Sequence, residues 1–193
     1  MIIDLGAGTS GYSEALLHCR RVISIDLSFS ALNANKALPN KVSSINADAL
    51  SIPLKDNSAS KILLIGMLHH VPFSLPQLLQ EVSRVLKKGG AIYIDEPNGY
   101  NIMWFVFMRL CEIDKVGARP LFPHFIKKVA RNNHLSIDKE LYWGFVPPGL
   151  NRESAVDIFD KISSVIEKSF LIYAQGICLL LRNRIYCNQD AVV

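Results

Sequence analysis

The chain has 193 residues, half of them apolar, and 21 Lys and Arg against 17 Asp and Glu leave a formal net charge of +4. That apolar share is enough to bury one full core, so a single domain over residues 1–193 is expected. The basic residues are scattered, with no stripe of cations and aromatics, so nucleic acid is not an expected partner.

Cys19, Cys111, Cys178 and Cys187 form no C-x-x-C pair and stand away from His at any metal-ligand spacing. They read as small buried hydrophobes in a reducing compartment, with neither a disulfide framework nor a metal site. The most apolar stretches, IMWFVFM from Ile102 and ICLLL from Ile177, fall well short of the roughly 18 residues of a spanning helix. The first residues lack a basic region followed by an apolar run, so a cytoplasmic protein is expected.

Short β-branched runs alternate with helical periodicity, the pattern of a parallel sheet covered by helices. The first strand is IIDL from Ile2. A helix follows a glycine-rich turn, with Ser10 as cap and SEALLHC as its apolar face. RVISID is the second strand, Ser28 caps a helix through SFSALNANKAL that Pro39 stops, and VSSINAD is the third strand. KILLIGML, an uninterrupted apolar run, predicts a central fourth strand. The next helix has Ser74 as cap, a stripe of Leu75, Leu78, Leu79, Val82, Val85 and Leu86, and Gly89-Gly90 as its end. AIYIDE is the fifth strand. Residues 100–133 break the alternation and predict two helices joined near Gly117 and Pro120. A strand in LSIDKELYWGF, a helix AVDIFDKISSVIEKSF and a last strand GICLLLRN complete the chain.

The turn Gly6-Ala7-Gly8-Thr9-Ser10-Gly11 lies between a strand and a helix, where absent side chains let a ligand approach backbone amides. This G-x-G-x-x-G spacing alone does not choose between a dinucleotide and another adenosine-containing cofactor. Asp26 ends strand two, about twenty positions after Gly6, where a carboxylate can accept both hydroxyls of a ribose. A cap for the following helix is its other reading.

The blocks IIDLGAGTSGYSEAL, VISIDLS, NADALSIPLKDNSASKILLIGMLHHV and LLQEVSRVLKKGGAIYIDEP resemble, in order and spacing, the successive motifs of class I S-adenosylmethionine-dependent methyltransferases, especially the small-molecule branch. The resemblance covers about Ile2 to Pro97. It implies an α/β fold, a doubly wound Rossmann-like sheet of seven mostly parallel strands ordered 3-2-1-4-5-7-6 with the last strand antiparallel, supplied by GICLLLRN. Residues 100–133 become the variable insert between strands five and six. The implied cofactor is S-adenosyl-L-methionine and the implied acceptor a small or lipid-like molecule.

By the same resemblance, Asp4 supports the methionine end of the cofactor, Gly6, Ala7 and Gly8 pass beneath it, and Asp26, followed by Leu27, holds the ribose. Asp48 and Ala49 match the adenine site, and Gly66 and Met67 flank the methionine moiety. Asp48 taken alone also reads as an Asx turn at a strand end. His69 and His70 follow strand four, toward the expected methyl group, and are candidate bases for a protonated acceptor. Their other reading is structural, one ring packing under the following helix. NIMWFVFMR from Asn101 is either helical core or the wall of an apolar acceptor pocket, with peripheral lipid contact as a variant of the second.

Three departures from the family pattern stand out. Ser10 occupies the place of the third glycine, with Gly11 one position later. Lys61 replaces the acidic residue usual before strand four. Strand one begins directly behind Met1, whereas family members carry a helix or more before it, so either the start lies further upstream or the site is more open than usual. Two competing functions remain: a non-catalytic cofactor-binding or partner protein, and a nucleotide-dependent oxidoreductase, which Asp4 and NADAL oppose.

Overall fold

A computed structural model of the chain describes residues 1–9, 21–34, 42–101, 120–143 and 176–183. Their seven strands are β1 Ile2–Leu5, β2 Val22–Asp26, β3 Val42–Asn46, β4 Ala59–Ile65, β5 Leu86–Pro97, β6 Leu135–Trp143 and β7 Gly176–Asn183. They form one sheet ordered β3-β2-β1-β4-β5-β7-β6. β1 to β5 pair in parallel, and β7 runs antiparallel between β5 and β6. This is the expected order and direction.

The register explains why these sequences choose this sheet. Ile25, Leu5, Leu64, Ile94 and Leu179 stand side by side across five strands, and Ile23, Ile3, Ile62, Ile92 and Leu181 form a second such row. All ten are buried. Each such side chain contributes roughly 1.5–3 kcal/mol of gross transfer free energy, and a one-residue slip would turn a whole strand's set to the opposite face.

Three α-helices are described: α1 Phe29–Ala34, α2 Leu75–Val85 and α3 Pro123–Asn132. Ser28 caps α1 as expected, its Oγ accepting the Ala31 N–H at 3.3 Å. In α2, Leu75, Leu78, Leu79, Val82 and Val85 are all buried and form five of the six positions of the stripe read from the sequence; the sixth, Leu86, belongs to β5. The helix ends at Val85, however, before Gly89-Gly90. The N–H groups of Asn57 and Ser58 take the carbonyls of Arg84 and Val85 at 3.0 and 2.9 Å, so the chain entering β4 closes the helix. Leu86 is already extended and pairs with Ala59. Ser74 precedes α2 but makes no side-chain cap; its backbone lies outside the extended region that aims a hydroxyl at helix amides. β4 stops at Ile65 rather than continuing through GML, because Gly66 turns out of the strand at φ +60°.

The expected helices in SEALLHC and AVDIFDKISSVIEKSF, most of the 100–133 insert, and the Pro39 stop lie outside the described residues, as do Ser10 and Gly11. Among the described residues, no helix is long and apolar enough to cross a membrane, and no cluster of three His, Cys, Asp or Glu could hold a metal.

Candidate functional site

The carboxyl ends of β1, β2, β3, β4 and β5 share one edge of the sheet, and the candidate residues collect there. Past β1, the Gly6 and Ala7 N–H groups both donate to the Ile25 carbonyl, at 2.8 and 3.2 Å, carrying the β1–β2 pairing into the glycine turn. Gly6 has φ +73°, and a β-carbon there would overlap the Met67 side chain from the end of β4. Only glycine meets both conditions without strain.

Asp26, at the end of β2, is committed on both oxygens to backbone donors. Oδ2 accepts the Gly8 N–H and Oδ1 the Ser28 N–H, each at 2.7 Å. Each oxygen keeps a lone pair, so the carboxylate ties down the glycine turn and the start of α1 while remaining able to accept from a ligand. Leu27 follows with 74 % of its surface exposed, an apolar side chain at the rim.

Asp4 is different: it is buried, and its Oδ2 has no hydrogen-bond partner. Burial, and next the negative charge of Asp26, push its carboxyl up to about 6. Past β3, the exposed Asp48 forms the Asx turn that was one of its two readings, Oδ1 accepting the Leu50 N–H at 2.8 Å. Its Oδ2 takes no hydrogen bond among the described residues. Ala49 lies next to it, half-buried.

At the end of β4, the Gly66 N–H donates to the Asp95 carbonyl at 2.8 Å and a single 3-10 turn covers Leu68–His70. Glu96, from the end of β5, organises this turn. Its Oε1 accepts the N–H groups of Met67 and Leu68 at 2.7 and 2.6 Å, and its Oε2 lies 2.7 Å from His69 Nδ1. His69 and Glu96 are both buried. His70 is exposed, its ring centroid 4.2 Å from that of His69. The two histidines named from the sequence are therefore in different environments, one held inside the fold and one at the surface.

Three residues beyond His70, Phe73 is 78 % exposed. With Pro72, Pro120, Leu121, Phe122 and Phe125 it lines an apolar groove of about 240 Å³. The Tyr100 ring lies 5.6 Å from that of Phe122, and the Tyr100 hydroxyl is 2.8 Å from His124 Nδ1, which adds a polar pair next to the apolar wall.

Residues 3–94 match the family model described as a methyltransferase domain. Residues 3–94 carry a methyltransferase domain, and the sheet has the fold of class I S-adenosylmethionine-dependent methyltransferases. A methyltransferase from Archaeoglobus fulgidus has the same fold at 17% identity, with 94% of this chain and 85% of that one covered and a TM-score of 0.72. One from Mesorhizobium loti aligns at 15% identity over 94% and 90% of the two chains, TM-score 0.70. A candidate sarcosine dimethylglycine methyltransferase from Galdieria sulphuraria aligns at 18% identity over 95% and 78%, TM-score 0.69.

The strand-end edge fits S-adenosyl-L-methionine chemically. A β-carbon at Gly8 or Gly66 would meet nothing within 4 Å, so the backbone faces open space at both turns. The unpartnered Asp4 oxygen supplies a buried negative charge for a cationic group, and Asp26 retains acceptor capacity for a diol. The sequence reading missed Glu96. Its signal was a second carboxylate, after Asp95, closing the run AIYI inside a strand, where a buried charge is not tolerated without a partner. It also missed Glu81 and Arg84, which appear in sequence as ordinary charges on the outer face of α2.

Proposed function

We propose that this methyltransferase transfers the methyl group of S-adenosyl-L-methionine to a small apolar or lipid-like acceptor. The observation that carries this reading is the groove formed by Phe73, Leu121, Phe122 and their neighbours, whose Pro72 and Phe73 follow His70 closely in the chain. Its apolar walls suit a hydrocarbon or aromatic acceptor better than a polar one. The small amine acceptor in the name of the Galdieria protein agrees with a low-molecular-weight substrate but not with an apolar one.

When bound, the cofactor supplies a sulfonium methyl that leaves by in-line displacement, so the protein contributes chiefly by alignment. In this reading, Asp26 accepts from the ribose hydroxyls and Leu27 packs at the rim. Asp48 accepts from the adenine amine while the Ala49 amide donates to the ring. Asp4, with the Gly6-Ala7-Gly8 turn, and Gly66 with Met67 border the methionine end. His70, the exposed member of the pair, takes the proton of a hydroxyl or amine acceptor. His69, held by Glu96, positions the turn that carries it.

The test is a panel of apolar phenols, fatty acids and polar amines assayed by S-adenosylhomocysteine release. Turnover of an apolar member, with Phe73→Ser and Phe122→Ser raising its KM at unchanged cofactor affinity, supports the groove. His70→Ala is expected to lower kcat about a hundredfold on a protonated acceptor. Turnover confined to polar amines and indifferent to both Phe variants would overturn the acceptor assignment.

A further inference from the structure

The loop after β3 is fastened to α2 by two side chains that do not reach the cofactor edge. Glu81 Oε1 accepts the Ile52 N–H at 2.7 Å. Arg84 donates from its two terminal nitrogens to the Ile52 and Leu54 carbonyls, both at 2.9 Å, and one of them also reaches Asp56. Its Nε and one terminal nitrogen bond the two oxygens of Glu81 at 2.8 and 2.7 Å. All five guanidinium hydrogens thus have acceptors inside the fold, and none remains for a phosphate or carboxylate ligand. Ile52 itself is 3 % exposed and belongs to the core.

The pair therefore grips both backbone polar groups of Ile52. From there the chain runs back through the Ser51 N–H, which donates to the Asp48 carbonyl at 3.0 Å, and the Leu50 N–H, which Asp48 Oδ1 accepts. Asp48 and its neighbour Ala49 sit in a turn whose far end is held by Arg84 and Glu81. We infer that Arg84 and Glu81 are positioning residues for adenine recognition, fixing the orientation of the Asp48–Ala49 turn from behind. This rests on the reading of Asp48 and Ala49 as the adenine site. A planar fork with five donors suits this work, because a lysine at the same place offers one point charge and cannot span two carbonyls and two carboxylates together.

The experiment compares binding of S-adenosylhomocysteine with that of S-inosylhomocysteine, in which an oxo group replaces the adenine amine, by calorimetry on the full chain. Wild type is expected to prefer the adenine form by about tenfold, and Asp48→Ala to lose that preference. Arg84→Lys and Glu81→Gln are expected to lose most of it too, while Val82→Ala, which destabilises the same helix and removes no hydrogen bond to the loop, keeps it. A role confined to stability would lower the melting temperature in all three and leave the ratio alone. Retention of the full preference by folded Arg84→Lys and Glu81→Gln, with Asp48→Ala defective, overturns the positioning role only. No preference in wild type, or full preference in Asp48→Ala, overturns the adenine reading and this inference with it.

Discussion

Gly8 and Asp26 are bound to each other across the mouth of the site, the glycine N–H donating to Oδ2 of the carboxylate at 2.7 Å. The bond joins the turn after β1 to the end of β2, and the second oxygen of Asp26 holds Ser28 in the same way. One carboxylate therefore shapes both the glycine turn and the start of α1.

Asp26→Ala should consequently do two things. Cofactor-product affinity should fall at least about tenfold, the cost of about 1.4 kcal/mol in a hydrogen bond to a charged group. Stability should fall by about 1–3 kcal/mol, because two backbone donors lose a charged acceptor but regain water. Calorimetry and urea unfolding measure the two separately, and unchanged affinity would remove Asp26 from the site.

Asp4 gives a pH prediction. Its folded value, about 6, stands above the ordinary 3.8, so the folded state keeps a proton that the unfolded chain has released. Stability must then fall as pH rises from about 4 to about 6 and stay lower above that, by up to about 3 kcal/mol from this group. Asp4→Asn removes that slope. Subtracting the unfolding free energies of variant and wild type, without cofactor, at pH 4.5 and pH 7 isolates it; a difference that does not change with pH refutes the assignment.

Gly6→Ala should destabilise by about 2–4 kcal/mol, combining a left-handed backbone unsuited to a β-carbon with overlap against Met67. Adding Met67→Ala removes the overlap but not the backbone strain. Partial recovery in the double variant is the expected result in urea unfolding, and no recovery would show that Met67 is not the obstacle.

Glu96→Ala leaves the amides of Met67 and Leu68 and the His69 ring nitrogen without their acceptor in a buried place. A loss of about 3–5 kcal/mol is expected. Glu96→Gln keeps one carbonyl oxygen and should lose clearly less. Equal losses would mean that the charge, rather than the acceptors, holds the turn.

The sequence by itself determined which residues build the strands of the sheet. Strand periodicity in IIDL, VISID, KILLI and GICLLL, the glycine turn and the placing of Asp26 are local patterns, and local patterns survive in one dimension. Ser28 was legible as a cap for the same reason, since cap and helix are neighbours. What only the tertiary structure decided concerns groups that are distant in the chain. Glu96 meets His69 from 27 residues away and Arg84 meets Ile52 from 32. The end of α2 at Val85 depends on donors from Asn57 and Ser58, so the glycines four residues on predicted it too late. The two histidines are adjacent in sequence, yet one is buried and one exposed, because a single 3-10 turn presents them on different sides. Asp4 could be named from IIDL, but its raised pKa arises only when the sheet closes around it and brings Asp26 near, since desolvation and charge proximity are properties of the packed chain.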